Sequence, residues 1–395
     1  MLAVILGIFS LCWAIVGALF ASLVPGGAST FVALAFLLTG LPLGLFIWIR
    51  THGGYPGAPF RLLVMRPFWY AQLTLLLSGL VGAVVGLAAS PFGAAQSAGR
   101  WAVALTAGAC VLLSIIGYFG SRRLLVRHMT ATIAGLPPAF DGLRITHISD
   151  THVGPHTSRR HLARVRAAVE KSEPAMIAVT GDLVDDHAAD VAHYAETLGG
   201  LAAPLGVYAI PGNHEVYAGW VAVRDALGEV ALTVLVNEAR ILDYRGERLA
   251  VVGLGDPAAG RHPSPSLPAP DVDAALASVP HGTVTVALAH NPALWPALAA
   301  RGVSLTLSGH THWAQLALPW RGWSLANVFL ELAMGVYQRG EALLYIHPGT
   351  NYWGIPFRIG ALPEVAVITL RTGNASAMSG PRDRRASASG RRRGS

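Results

Sequence analysis

Residues able to bind divalent cations recur in five short clusters along the second two-thirds of the chain. They read Asp150-Thr-His152, Gly181-Asp182-Leu-Val-Asp185, Gly212-Asn213-His214-Glu215, Ala289-His290-Asn291 and Gly309-His310-Thr-His312. Asp150, His152, Asp182, Asn213, His290, His310 and His312 together offer two carboxylates, four imidazoles and an amide. That donor set suits two ions that share one carboxylate. Adjacent ions can clamp a phosphoryl group and make hydroxide from water near neutral pH. The pattern therefore predicts phosphoester chemistry at a dinuclear centre. Each cluster is weak alone, since Asp-x-His is usually a solvated turn and Gly-Asn-His-Glu can open a helix capped by Asn213. Their order and placement carry the inference.

The elements that must position them are strands. Leu143–Ile148, Ala175–Thr180, Val207–Ile210, Leu249–Leu254, Thr283–Ala289 and Val303–Leu307 read as buried strands bounded by turn residues. Ser158–Lys171, Asp186–Leu198, Val216–Leu227, Val272–Ala277 and Ala293–Ala300 read as helices. Every metal-type cluster follows a predicted strand. Groups at the carboxyl ends of strands converge on one edge of a sheet, where loops can be shaped around a rigid base. The segment 258–270 reads as an exposed Pro/Ser-rich loop.

The set resembles the calcineurin-like metallophosphoesterase superfamily over about residues 129–372, and in detail its membrane-associated YkuE/YaeI-like branch. The resemblance rests on Leu143-Arg-Ile-Thr-His-Ile-Ser-Asp150, on Ser308-Gly-His-Thr-His312 followed by Gln315, and on Gly349-Thr-Asn-Tyr-Trp-Gly-Ile-Pro-Phe-Arg358. It implies an α/β fold, a four-layer α-β-β-α metallophosphoesterase sandwich. It also implies that Asp150, His152, Asp182 and His312 hold one ion, while Asp182, Asn213, His290 and His310 hold the other. A mixed oxygen and imidazole set suits Mn, Fe or Zn better than Mg or Ca. His214, next to a ligand but not assigned as one, is the expected catalytic acid, oriented by Asp150 or Glu215. Asp185 is expected to support its loop. Arg358 is a candidate substrate-phosphate contact, with an ion pair to Glu364 as the competing reading. His156, His187, His262, His281 and His347 fit no ligand slot and read as surface or loop residues. Two departures stand out. Trp313-Ala314 replaces a frequent pair of glycines, and Asn351 stands where a small residue is common. Both are expected to bear on substrate specificity.

The chain has 53% hydrophobic and only 13% charged residues, too apolar for an ordinary soluble enzyme. The excess lies in the first 120 residues, which contain no acid. Runs at about 2–24, 29–49, 69–90 and 101–120 each reach the roughly 20 residues needed to span a bilayer. Trp48, Trp69, Tyr70, Trp101 and Tyr118 lie at run ends, where amphipathic rings favour the interface. The expected organisation is a four-helix transmembrane domain over 1–128, a catalytic domain over 129–372 and a disordered basic tail over 373–395. No cleaved signal is expected, because no basic residue precedes the first run. With four spans, Arg50, Arg61, Arg66, Arg122, Arg123 and Arg127 share the side of the catalytic domain, against Arg100 opposite. That bias predicts a cell-membrane protein with its catalytic domain in the cytoplasm.

The net charge of +7 does not signal a nucleic-acid partner, because Pro381–Ser395 alone holds six Arg and one Asp. The expected partners are the membrane and a phosphorylated small molecule or lipid. Tethering would suit a lipid-linked phosphoester or pyrophosphate. The alternatives are a phosphodiesterase for a soluble nucleotide on a membrane anchor, and a non-catalytic metal-binding membrane scaffold. Neither the substrate nor the oligomeric state follows from the sequence.

Overall fold

The computed structural model describes residues 27–52, 57–155, 157–260 and 267–379, with Trp13, Gly17 and Ala18. Most of the first apolar run, His156, His262 and the arginine-rich end lie outside the described residues. The chain divides into two compact units, Met1–Gly117 and Tyr118–Ser395.

In the first unit, the run expected at 29–49 is an α-helix over Gly27–Ala35, a π-helical turn over Phe36–Gly40 and a second α-helix over Leu41–Thr51. Among the described residues, two helical stretches are long and apolar enough to cross a membrane, Arg61–Phe92 and Ala95–Gly120. Gly82 on the former lies so near the latter that a Cβ there would meet a Val103 methyl at 2.3 Å. The small residue is needed for helix contact within this unit. Gln72, a buried amide in an apolar helix, accepts from Trp13 and donates to Thr39, which removes the cost of an unsatisfied polar group.

The second unit is built on two mixed sheets. The strands in chain order are β1 (Leu125–Ala134), β2 (Arg144–Ile148), β3 (Met176–Thr180), β4 (Val207–Ile210), β5 (Thr233–Val234), β6 (Glu238–Tyr244), β7 (Glu247–Gly253) and β8 (Thr285–Leu288). There follow β9 (Leu305–Ser308), β10 (Ala317–Leu318), β11 (Trp323–Ser324), β12 (Gly335–Arg339), β13 (Ala342–Ile346), β14 (Glu364–Gly373) and β15 (Ala377–Ser379). One sheet runs β15-β1-β14-β2-β3-β4-β5 and the other β12-β13-β9-β8-β7-β6. Strands β2 to β5 are parallel, as are β7, β8, β9 and β13, so their carboxyl ends emerge along common edges.

The sheets share a core. Ile145, Met176, Tyr208 and Ile368 from one meet Leu249, Val286, Leu305 and Leu343 from the other. On the outer face of the first sheet, Ile177 and Val179 pack on Leu162, Val165, Val169, Tyr194 and Trp220 of the covering helices. Leu298 and Ala275 cover the second sheet. Strands buried on both faces must be continuously apolar, which is why β3, β4 and β8 were legible. The helix Arg159–Lys171 starts at its expected cap, with Ser158 Oγ accepting from the His161 N–H. The helix expected over 216–227 is instead two, Asn213–Tyr217 and Trp220–Leu227, broken at Gly219 with φ 94°.

Candidate metal centre

Five loops bring the metal-type residues together. Asp150 and His152 follow β2, Asp182 follows β3, Asn213 follows β4, His290 follows β8, and His310 and His312 follow β9. Backbone bonds stitch the loops to one another: the Asp150 N–H to Gly181 O at 3.0 Å, the His152 N–H to Asp182 O at 3.0 Å, and the Gly309 N–H to His290 O at 3.0 Å. Two glycines make the approach possible. A Cβ on Gly212 would lie 2.2 Å from Asp182 Oδ1, and one on Gly309 would lie 2.3 Å from Asp150 Oδ2.

The ligand loops are conformationally costly. Asp150, His152, Asp182, His310 and His312 all have positive φ, between 39° and 70°. Left-handed backbone in residues with a Cβ persists only where the surroundings over-determine it, and it gathers at functional sites.

The donor atoms converge. His312 Nε2 is 3.3 Å from Asp150 Oδ1 and 3.0 Å from His152 Nε2. His290 Nε2 is 3.2 Å from both Asp182 Oδ2 and Asn213 Oδ1, and His310 Nδ1 is 2.8 Å from Asn213 Oδ1. Asp182 Oδ2 is also 3.7 Å from His152 Nε2. Ligand atoms held at about 2.1 Å around one tetrahedral or octahedral ion stand about 3.0–3.4 Å apart. Most of these spacings meet that test, and Asp182 faces both groups of donors. The chemistry of the set fits divalent transition metals.

Electrostatics agree with the geometry. Burial alone would raise the Asp182 carboxyl, but His290, His214 and His152 outweigh it and hold it well below the usual range. Burial would lower His290, but the Asp182 charge beside it pushes it well above the ordinary histidine value. Burial and the Arg358 guanidinium together keep His312 well below it.

The surrounding side chains orient this set. Asp185 Oδ1 is 3.4 Å from His152 Nδ1, on the ring edge opposite Nε2, an arrangement that fixes a ligand histidine's tautomer. The main-chain carbonyl of Asp185 accepts from His214 Nδ1. Of the two orienting groups expected for His214, Glu215 is committed elsewhere. Its carboxylate accepts the N–H groups of Asp182, Leu183, Val184 and Gly212 at 2.7–3.1 Å, so it fastens the Asp182 loop to the Asn213 helix. The His214 ring lies 6.1 Å from that of Trp353 and 5.6 Å from that of Tyr217, both half-exposed.

Arg358 is fully buried. Its guanidinium donates to the carbonyls of Pro348, Ala361 and Asn351 and stands 2.9 Å from His312 Nδ1. Glu364 is paired with Arg127 at 2.7 Å. Trp313 is buried with Trp295, Met334, Leu344 and Ile346, and its Nε1 donates to Ile346 O at 3.0 Å. Asn351, also buried, donates to Thr151 O, so it braces the first metal loop.

His347 departs from expectation. It is fully buried and packs against His147 at 4.8 Å, because it ends the buried strand β13. One acid went unnoticed in the sequence. Asp256 is 2% exposed, follows β7 just as the ligands follow their strands, and adds its charge to those of Asp182 and Asp150 in pushing His290 up. Its position after a predicted strand was the available signal.

A family model described as calcineurin-like phosphoesterase matches residues 143–314. The transmembrane protein with metallophosphoesterase domain of Danio rerio is 34% identical over 249 residues, covering 60% of this chain and 55% of that protein. The chain thus spans little more than half the length of that relative. Metallophosphoesterase YkuE of Bacillus subtilis is 30% identical over 282 residues, covering 69% of this chain and 95% of YkuE. Among solved structures, the calcineurin-like phosphoesterase YfkN from Bacillus subtilis is 15% identical with a TM-score of 0.33, covering 60% of this chain and 89% of that one. A match at this identity along nearly all of YkuE, with a family model that spans the loops carrying the clustered donors, means that the chain belongs to the calcineurin-like phosphoesterase family, a family of metal-dependent enzymes.

Proposed function

We propose that the chain is a membrane-anchored phosphoesterase that holds two divalent ions and cleaves a phosphoester or pyrophosphate bond, with a lipid-linked molecule as its substrate. The observation that carries this is the convergence of seven donors from five loops, with Asp182 facing both groups. Bound there, Mn, Fe or Zn would supply Lewis acidity toward the phosphoryl oxygens and a more acidic water.

The chain's own residues do the rest. Asp150, His152, Asp182 and His312 form one ligand group; Asp182, Asn213, His290 and His310 form the other. A carbonyl can only accept, so the His214 Nδ1–H is committed to Asp185 and the tautomer is fixed. Nε2 is then the nitrogen left to take up a proton, and the imidazolium so formed gives that proton to the leaving oxygen and returns to the neutral ring. Arg358 acts as a positioning residue instead of touching phosphate, by holding the carbonyls of Pro348, Ala361 and Asn351 behind His312. Ligation at His312 Nε2 would leave the proton on Nδ1, and the guanidinium would then keep its carbonyl partners alone.

Four spans anchor the enzyme. Arg61–Phe92 and Ala95–Gly120 would be the third and fourth, and the arginine bias supports a catalytic unit on the cytoplasmic side. The test is turnover by purified, metal-reconstituted full chain across phosphomonoesters, phosphodiesters and lipid pyrophosphates, with metal analysis. The expected result is near two equivalents of transition metal and highest turnover on a lipid-linked substrate. One ion at saturating metal would refute the dinuclear centre. Preference for a soluble nucleotide would refute the lipid reading, and no turnover of any ester would refute the enzyme.

A further inference from the structure

The last metal loop leads into a projecting segment. After His312 the chain forms a hairpin of β10 and β11, its turn Pro319–Arg321 closed by Gly322 at φ 62°. A capped 3-10 turn over Leu325–Val328 follows, with the Ser324 N–H donating to Asn327 Oδ1 at 2.7 Å. The base is pinned. The Leu325 N–H donates to Leu316 O, the Ala317 N–H donates to Ile359 O, and the hydroxyl of Thr311, between two metal-type histidines, donates to Ala333 O at 2.8 Å. The side chains nevertheless point out. Trp320 is 64%, Val328 61% and Phe329 78% exposed, and Trp323, Leu325 and Leu330 are also exposed. Between Leu316 and Leu330 the only charged residue is Arg321.

Large apolar side chains held outward on an ordered segment need a partner, since soluble proteins rarely expose contiguous apolar patches of this kind. The composition selects which one. Two tryptophans with Phe, Leu and Val, one arginine and no acid is the mixture that settles in the headgroup layer of a bilayer. Among the described residues the same chain carries two apolar helices of membrane-spanning length, so a bilayer is the partner present at the highest local concentration.

We propose that Trp320, Trp323, Leu325, Val328, Phe329 and Leu330 form a membrane-inserting loop that docks the metal centre on the bilayer surface. A phosphate on a lipid could then reach His310 and His312 while its acyl chains stay in the membrane. This rests on the membrane-anchored reading above and adds a second, independent contact to it.

The test is photocrosslinking of the full chain in vesicles of phosphatidylethanolamine and phosphatidylglycerol. One variant carries Phe329→benzoylphenylalanine. The other carries Leu105→benzoylphenylalanine, at a position 69% exposed on the helix Ala95–Gly120. Lipid adducts at both positions are expected. Adducts at Leu105 alone would overturn the loop proposal and leave the anchor standing, and adducts at neither would overturn both. A crosslink from Phe329 to the chain's own first unit or to a second copy would also overturn the loop proposal. A third variant, Trp320→Ser with Phe329→Ser, should keep its metal content and its turnover of a soluble aryl phosphate. It should lose about tenfold or more on a phosphorylated lipid in vesicles. Equal loss on both substrates would mean that the loop only supports the fold, and the proposal would fail.

Discussion

Two histidines near Asp185 are held through different atoms, and this separates their roles. The carboxylate of Asp185 faces His152 Nδ1, while its carbonyl accepts from His214. His152 has a second nitrogen aimed at the other donors, 3.0 Å from His312 Nε2. His214 also stands beside His152 and Asp185, within reach of a metal, but its Nδ1 is taken by the Asp185 carbonyl. His214→Ala is therefore expected to keep its metals and lose on the order of 10²–10⁴-fold in turnover. The loss should be greatest for esters with poor leaving groups, which need the proton most. Metal loss in this variant, or normal rates with a poor leaving group, would overturn the assignment. Asp185→Asn makes the opposite prediction. It removes the charge behind His152, so metal affinity should fall by roughly 10–100-fold, as measured by competition with a chelator. Saturating metal should then restore most of the rate. If the rate stays low at full occupancy, Asp185 acts on the chemistry and not on the ligand.

The loop after β9 shows how an element accommodates an unusual residue. Trp313, Ala314 and Gln315 continue the left-handed backbone, with φ of 52°, 48° and 60°. Glycine adopts this conformation without penalty, whereas a Cβ costs roughly 1–2 kcal/mol per residue. At Trp313 the ring offsets that cost by filling the cluster around Leu344 and Ile346. Trp313→Gly should thus lower stability by about 2–3 kcal/mol, since deleting a buried Trp costs roughly 3–5 kcal/mol and relief of strain returns part of it. Ala314→Gly should be neutral or gain up to about 1 kcal/mol. Thermal midpoints of the two full-length variants in detergent check both signs; stabilisation by Trp313→Gly would show that the ring does not hold the loop. The sequence marked Trp313 as unusual and tied it to substrate specificity, whereas its ring is packed in the core. Direction is set by the backbone, which residue types did not report. The same lesson applies to the strands. Buried runs bounded by turn residues disclosed β2, β3, β4, β8 and β9, apolar almost throughout in β3 and β4 but interrupted by Thr146 and His147 in β2, and with them the loops that carry the seven candidate donors. Strand β1 stayed hidden because Arg127, His128, Thr130 and Thr132 alternate with its apolar residues and it adjoins an apolar helix. With β13 unrecognised, His347 read as a loop residue, although it ends a strand as the ligands do. Glu215 was seen, but not that four backbone donors would claim it.

At the scale of the whole molecule, two properties follow from burial and charge. His147 is fully buried, and burial pushes it down to about 3 from the ordinary 6.5. The unfolded chain takes up that proton below pH 6.5 while the folded chain does not. Stability is complete above the unfolded value and drains as pH falls from 6.5 toward 3, with about 2 kcal/mol lost by pH 5 from this residue. His147→Gln should be less stable than the parent at pH 7.5, and the gap in thermal midpoint should narrow by pH 5, with chelator in both samples. A constant gap would show that His147 is not the titrating group. The second property is orientation. Arg50, Arg61, Arg66, Arg122, Arg123 and Arg127 lie near span ends on one side if four spans exist, against Arg100 on the other. Arg122 is fixed there, its guanidinium 4.3 Å above the Tyr118 ring and its carbonyl accepting from Arg164. Moving such a cluster across the bilayer is opposed by the bias that retains basic loops in the cytoplasm. A fluorescent-protein fusion after residue 128 should therefore glow, and an alkaline phosphatase fusion there should be inactive. The tight turn at Gly93, between Arg61–Phe92 and Ala95–Gly120, is the natural insertion point for the opposite side. Phosphatase inserted there should be active. The reverse pattern would mean an inverted orientation or an odd number of spans before residue 120, and would move the substrate to the outer face of the membrane.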